Sequence, residues 1–151
     1  MNIEATKNKV ILTYYDIQEN LAEETVWIES LDNENYQVKN IPFFAPNIAY
    51  NDIISVEKDD DCLYFYEMVE PSEHSTIQII FFSNEKIEDV IKTLEELGCS
   101  WEGMHIQNIL AVDVPPSVNY ANVQKFLEKM LSENAFDYKE ACLSETHLSN
   151  L

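Results

Sequence analysis

Along the first half of this 151-residue chain, apolar and polar positions alternate two by two, and helical spacing appears only in the second half. Val10–Tyr15 is an apolar, β-rich run, followed by an acidic, loop-like stretch over 16–24. Thr25–Leu31 and Tyr36–Ile41 are two β-branched and aromatic runs around the turn-forming Asp32-Asn33-Glu34-Asn35, which predicts a hairpin. Pro42 and Pro46 bracket Phe43-Phe44 and end that strand. A second hairpin is predicted from Ile53–Glu57, the turn Lys58–Asp61, and Cys62–Val69, where Leu63 and Phe65 alternate with Tyr64 and Tyr66. Five short strands with polar turns predict a small antiparallel sheet or barrel-like subdomain.

The period changes after Pro71-Ser72-Glu73. Thr76–Phe82 reads as a strand, with Ser83 placed to cap a helix whose apolar face is Ile87, Val90, Ile91, Leu94 and Leu97. Gly98 stands where a C-terminal cap is expected. Trp101–Gln107 and Ile109–Val114 predict two more strands, and Pro115-Pro116 breaks the chain. Asn119 is placed to cap a second helix with Val123, Phe126, Leu127, Met130 and Leu131 on one face, and Phe136–Leu143 is a last strand. The order strand–helix–strand–strand–helix–strand is the split βαβ, ferredoxin-like pattern. The expectation is an α+β chain: a β-rich subdomain over 1–72, a ferredoxin-like one over 73–143, and a frayed tail over 144–151.

Charge narrows the partners. Nine lysines and no arginine stand against 28 carboxylates, a formal net charge of −19. Arginine is the usual bidentate clamp for phosphate, so nucleic acid and anionic membranes are poor partners. Two glycines are too few for a phosphate-cradling loop. Length and apolar content suffice for a buried core, so acidity does not imply disorder. No run approaches the roughly 18 apolar residues of a membrane span. Met1–Lys7 lacks the apolar core of an export signal, and Cys62, Cys99 and Cys142 suit reduced thiols, so a cytoplasmic location is expected.

Val26-Trp27-Ile28-Glu29, Asn40-Ile41-Pro42-Phe43-Phe44, Val69–Thr76, Leu97-Gly98-Cys99, Ala111–Pro116 and Phe136–Leu143, in this order, resemble the bacterial family called domain of unknown function 4265. The resemblance runs from about Val10 to Leu143. The loop Asn47–Asp52 departs from the family's pattern in carrying no glycine. The resemblance implies a small, cytoplasmic, bacterial protein. It brings no catalytic residues with it.

Candidate chemistry is sparse. His74 and Ser75 sit near Glu70 and Glu73, but neighbours on a strand point to opposite faces, so a structural role for His74 is favoured. Cys142, with Glu140 and His147 nearby, has the elements of an activated thiol, yet a buried small hydrophobe is the commoner outcome, and Cys99 reads the same way. Without a C-x-x-C pair a zinc site would need long-range convergence. Asp59-Asp60-Asp61 with Glu57 lacks the spacing of a calcium loop and reads as a solvated hairpin tip. No catalytic residue, metal or cofactor is assigned.

The carboxylates are unevenly spread: 10–38 holds seven with no cation, and 59–85 another seven with none. The expectation is therefore a non-enzymatic binding protein, an immunity protein or antitoxin, that blocks the cleft of a basic toxin. Asp16, Glu19, Glu23, Glu24, Asp59, Asp60, Asp61 and Tyr64 would face the partner, with Tyr14 or Tyr50 as further anchors. The alternative is a regulatory module with a ligand pocket between the subdomains, near Phe43-Phe44 and Trp101.

Overall fold

The structure, a computed structural model, describes residues 7–104 and 107–151. Met1–Thr6, and with them most of the N-terminal stretch read above for an export signal, lie outside the described residues, as do His105 and Ile106 of the predicted strand Trp101–Gln107.

Two antiparallel sheets, of five and four strands, make up the mixed α/β fold. Strands β1 (Lys7–Tyr15), β2 (Leu21–Ser30), β3 (Tyr36–Val38), β4 (Ile53–Asp59) and β5 (Cys62–Glu70) form a closed barrel. Sequential neighbours pair antiparallel, and β1 closes the ring by lying parallel to β5 at Ile11 and Tyr64. Period-two alternation drives this: Val10, Leu12, Val26, Ile28, Val38 and Ile54 point inward and are buried. The stretch 16–24 is not one loop. Only Asp16–Asn20 turns, and β2 already begins at Leu21, because Ala22, Glu24 and Val26 continue the inward series of Ile28.

The second sheet comprises β6 (Ser75–Phe81), β7 (Ser100–Met104), β8 (Ile109–Val114) and β9 (Phe136–Cys142), ordered β7-β8-β6-β9 with every neighbour antiparallel. Helices α1 (Ile87–Glu96) and α2 (Tyr120–Ser132) cover one face. Val90 and Leu94 of α1 and Val123 and Leu127 of α2 share one cluster with Ile77, Ile79, Leu110, Val112 and Phe136. Asn119 caps α2 as expected, its Oδ1 accepting the Ala121 N–H at 3.0 Å. Ser83 does not cap α1: a single 3-10 turn over Asn84–Lys86 intervenes, and no side-chain bond forms. Gly98 ends α1 with φ +99°, and a Cβ there would meet Val118 at 2.9 Å.

The tail is a correction. Ser144–Leu151 does not fray but forms a helical turn, α3 (Glu145–Leu148), capped by Ser144. His147 on it is fully buried, held by Ser75 and by the Pro115 carbonyl. A polar tail docks because its histidine finds two buried hydrogen-bond partners.

With so few glycines, other residues take the left-handed turns. Asn47 and Asn51 adopt φ of 63° and 69° in the glycine-free loop over 47–52. Asp60 and Asp61, at 49° and 65°, form the two-residue tip between β4 and β5, both with the positive φ of a type I′ turn. Asn and Asp tolerate this region better than most side chains.

Candidate functional site

The segment between β3 and β4, residues 39–52, lies against both sheets, and carboxylates fix it there. Glu24, pointing inward from β2, accepts the N–H groups of Phe43, Phe44 and Ala45 at 2.7, 3.0 and 2.9 Å. Glu102 on β7 accepts the Ile41 N–H at 2.6 Å and the Asn40 amide at 3.2 Å. Asp52, 2% exposed, accepts the Ala49 and Ser72 N–H groups, each at 2.8 Å. Burial raises the Asp52 carboxyl above its ordinary value, and those bonds hold it only partly back. From the second sheet, Gln78 donates to the Pro42 and Ala45 carbonyls and Thr76 to that of Ile48. Asn47 donates its N–H to Ala141. Each such carboxylate bond is charge-assisted and therefore among the stronger ones.

The residues expected to face a partner separate accordingly. Glu24 is spent on the joint and does not present its carboxylate outward. Asp16 shapes the β1–β2 turn, its Oδ1 accepting the Gln18 and Asn20 N–H groups at 2.9 Å each, and Glu19 stands exposed in that turn. Glu23 projects from the outer face of β2 beside Thr13. Asp59, Asp60 and Asp61 form the tip before β5. Because β1 runs parallel to β5 with Ile11 beside Tyr64, the Asp16 turn and the Asp59–Asp61 tip lie at opposite ends of the barrel, roughly 25–30 Å apart at about 3.3 Å per residue. Tyr64, half-buried, sits between. Desolvation and then Cys62, Glu23, Asp59 and Asp60 hold its phenol above the ordinary value, so the hydroxyl keeps its proton. The acids therefore form a seam along one side of the barrel rather than one patch.

Beside the Asp16 end the surface is apolar. Tyr15, Ile17 and Leu21 are 71%, 97% and 67% exposed on the β1–β2 hairpin. A groove of about 410 Å³ runs from there to the helix-free face of the second sheet, walled by Tyr14, Phe43, Phe44, Ile80 and Tyr138. Burial, followed by Glu24 and Asp16, raises the Tyr14 phenol. Trp101, expected beside Phe43-Phe44 at one pocket, does not line this groove. Trp101 packs against the core under the helices and borders a different hollow.

Of the candidate nucleophiles, Ser75 and Cys99 are buried, Cys142 is half-buried and Cys62 is exposed. His74 Nδ1 meets Asp113 Oδ1 at 2.8 Å and its ring packs edge-on against Tyr50. Ser75 turns the other way, to His147 Nδ1 at 2.5 Å, and also accepts the Ser144 N–H. His147 Nε2 lies 2.9 Å from the Pro115 carbonyl, which fixes the proton there and leaves Nδ1 to accept from Ser75. This Ser–His contact is fully buried, and it was not foreseen because the two residues are 72 positions apart. Burial pushes Cys99 up to about 12 and Cys142, further raised by Asp52 and Glu73, up to about 11, so neither is an activated thiolate. Among the described residues no three His, Cys, Asp or Glu side chains converge as metal ligands, and no helix is long and apolar enough to cross a membrane.

Residues 24–138 match the family described as domain of unknown function (DUF4265). The chain is also similar to a solved structure titled "Novel crystal structure of a hypothetical protein from Neisseria gonorrhoeae". The two share 31% identity over 91% of this chain and 96% of that one, with a TM-score of 0.84. No curated protein matches the chain. Family match and structural likeness both span most of the sequence, from the barrel into the second sheet, and the chain belongs to the DUF4265 family.

Proposed function

We propose that this chain is a non-enzymatic, acidic binding protein of the bacterial cytoplasm, an immunity protein or antitoxin that neutralises a basic toxin by covering its cationic cleft. One observation carries the reading: among the described residues no lysine lies within 4.0 Å of a carboxylate, and the single charged contact is His74 with Asp113. The field of a chain with net charge −19 is left largely unneutralised by internal pairs. Such a field raises association rates with a basic partner by about 10–10³-fold at low salt. The exposed Tyr15, Ile17 and Leu21 beside Asp16, Glu19 and Glu23 supply what charge lacks, an apolar anchor inside a charged rim. Asp59, Asp60, Asp61 and Tyr64 extend the steering surface along the barrel.

Two finer readings of the architecture go with it. The second half is ferredoxin-like, supported by the order β7-β8-β6-β9, in which each helix-linked strand pair brackets a strand of the other pair. The chain divides near Pro71 into subdomains of 1–72 and 73–143, supported by two apolar clusters that share no residue across that point. The test is genetic. Co-expression with the basic product of a toxin gene beside its own is expected to restore growth, and alanine at Asp16, Glu19 and Glu23 to abolish that protection. A neighbouring gene whose product is harmless, or protection that survives the three substitutions, counts against the proposal.

A second reading, a ligand-binding regulatory module, is favoured by the groove at Phe43 and Phe44. A thermal shift with a metabolite, lost on Phe44→Ala, would support it; no shift with any metabolite class would count against it.

A further inference from the structure

The chain has only nine lysines, and two of them flank one tryptophan. On the outer face of the barrel, Lys9 of β1 pairs in register with Trp27 of β2, and the N–H of Lys39 donates to the Trp27 carbonyl. Trp27 is thus flanked by a lysine on each side, about one strand spacing away. Its ring is 48% exposed. The Lys9 ammonium stands 4.7 Å from the centre of that ring, and the Lys39 ammonium 5.4 Å from that of Tyr50. Asn51 Oδ1, a neutral acceptor 2.9 Å away, steadies Lys39.

Three hollows of about 280, 310 and 610 Å³ adjoin here: the first and third both touch Trp27, the first and second Asn40, and the second and third Lys39 and Tyr50, so they run on from one another as one cleft. Carboxylates also border it, but most are engaged elsewhere. Glu24 and Glu102 hold the backbone of 41–45 and Asp113 holds His74. Glu29 stands at the rim of the largest hollow, two residues along β2 from Trp27. Neither Lys9 nor Lys39 comes within 4.0 Å of a described carboxylate.

We infer that this cleft binds a small aromatic carboxylate, its ring stacked on Trp27 or Tyr50 and its anionic end between the Lys9 and Lys39 ammonium groups. The surrounding negative field decides the class. A bare anion would be repelled by a chain this acidic, so stacking must supply part of the affinity. A dianion would be repelled more than a monocarboxylate. The lysines in turn select against the neutral analogue, and the ring against acetate. This site is separate from the acidic seam, and its failure would leave the basic-partner reading untouched.

The test is calorimetric titration of the whole protein with phenylacetate, 2-phenylethanol and acetate, with tryptophan fluorescence read in a Trp101→Phe background so that only Trp27 reports. Saturable phenylacetate binding that quenches Trp27 is expected. Binding about tenfold or more weaker is expected for both 2-phenylethanol and acetate, and for phenylacetate with the Lys9→Gln, Lys39→Gln double variant. Lys9 is exposed and Lys39 half-buried, and an unchanged melting temperature will show that the double variant folds. The inference is overturned if phenylacetate does not saturate, if 2-phenylethanol binds as tightly, or if the double variant binds as the parent does.

Discussion

The two halves of this molecule are built on different economies of burial. The four-stranded sheet and its helices enclose fourteen buried apolar residues, including Phe136, Tyr120 and Leu127. The barrel encloses eight, none larger than leucine or isoleucine. By the usual transfer energies, the sheet half carries most of the apolar stabilisation and is the scaffold. The barrel compensates with polar fixtures at its joint to the sheet half, where Glu24 and Asp52 lock residues 43–52 in place. Its outer surface is thereby left to carry charge. A small core with an acidic exterior suits a surface that is meant to meet something else.

The largest test of this contrast is Phe136→Ala, which removes a fully buried ring in the scaffold. It is expected to cost about 3–5 kcal/mol and to lower the melting temperature of both halves together, as read by calorimetry. Next comes the joint. Glu24→Ala leaves three backbone N–H groups without their carboxylate and is expected to cost about 1.5–3 kcal/mol. Its signature differs: barrel amides should exchange hydrogen faster while those of β6 and β8 stay protected. If instead both halves loosen equally, the division between scaffold and barrel is wrong. Ser75→Ala deprives the buried His147 and the Ser144 N–H of their common partner, and a loss of about 1–3 kcal/mol is expected by chemical denaturation. Fast amide exchange in α3 would accompany it.

The response to pH follows from Asp52 and Asp113, both nearly inaccessible. Burial holds each carboxyl above the ordinary 3.8, with hydrogen bonds to Asp52 and the His74 contact to Asp113 opposing in part. Between 3.8 and those raised values the folded state holds protons that the unfolded chain has released, so stability falls as pH rises through that window. Relief of repulsion among the 28 carboxylates adds in the same direction. Glu73, lowered by its hydrogen bonds to Thr146, works the other way as pH falls toward and below its ordinary 4.5. The melting temperature is therefore expected to rise as pH falls from neutrality through the raised Asp52 and Asp113 values. Asp52→Asn, which keeps the shape and removes the charge, should flatten that rise. The smallest effect belongs to the barrel tip: Asp61→Gly relieves a left-handed aspartate and is expected to gain up to about 1 kcal/mol.

Much of the fold was legible in the sequence because the alternation is strict. All nine strands and both long helices stand within a few residues of where apolar spacing put them, and Asn119 and Gly98 announced their caps. The site was harder to see. A glutamate on a strand looks the same whether it points to water or accepts three amides, so Glu24 read as a docking acid until the loop it holds was in view. His147 went unseen because its partners are distant in sequence and its neighbours polar. The glycine-free loop at Asn47–Asp52 held its own answer, since asparagine takes the conformation a glycine would have supplied. Charge counts foresaw the acidity of the barrel, but only strand register spread it into a seam.

The central claim is that this seam, with the hairpin anchor at its end, takes a basic partner. Its most direct test is calorimetric titration with the purified product of whichever adjacent gene encodes a basic protein, in about 50 mM and about 500 mM salt, for the parent and for Asp16→Lys with Glu23→Lys. The account predicts a one-to-one complex that weakens at least about tenfold with salt and again with the charge reversal. No complex, or one indifferent to both salt and the reversal, would contradict it.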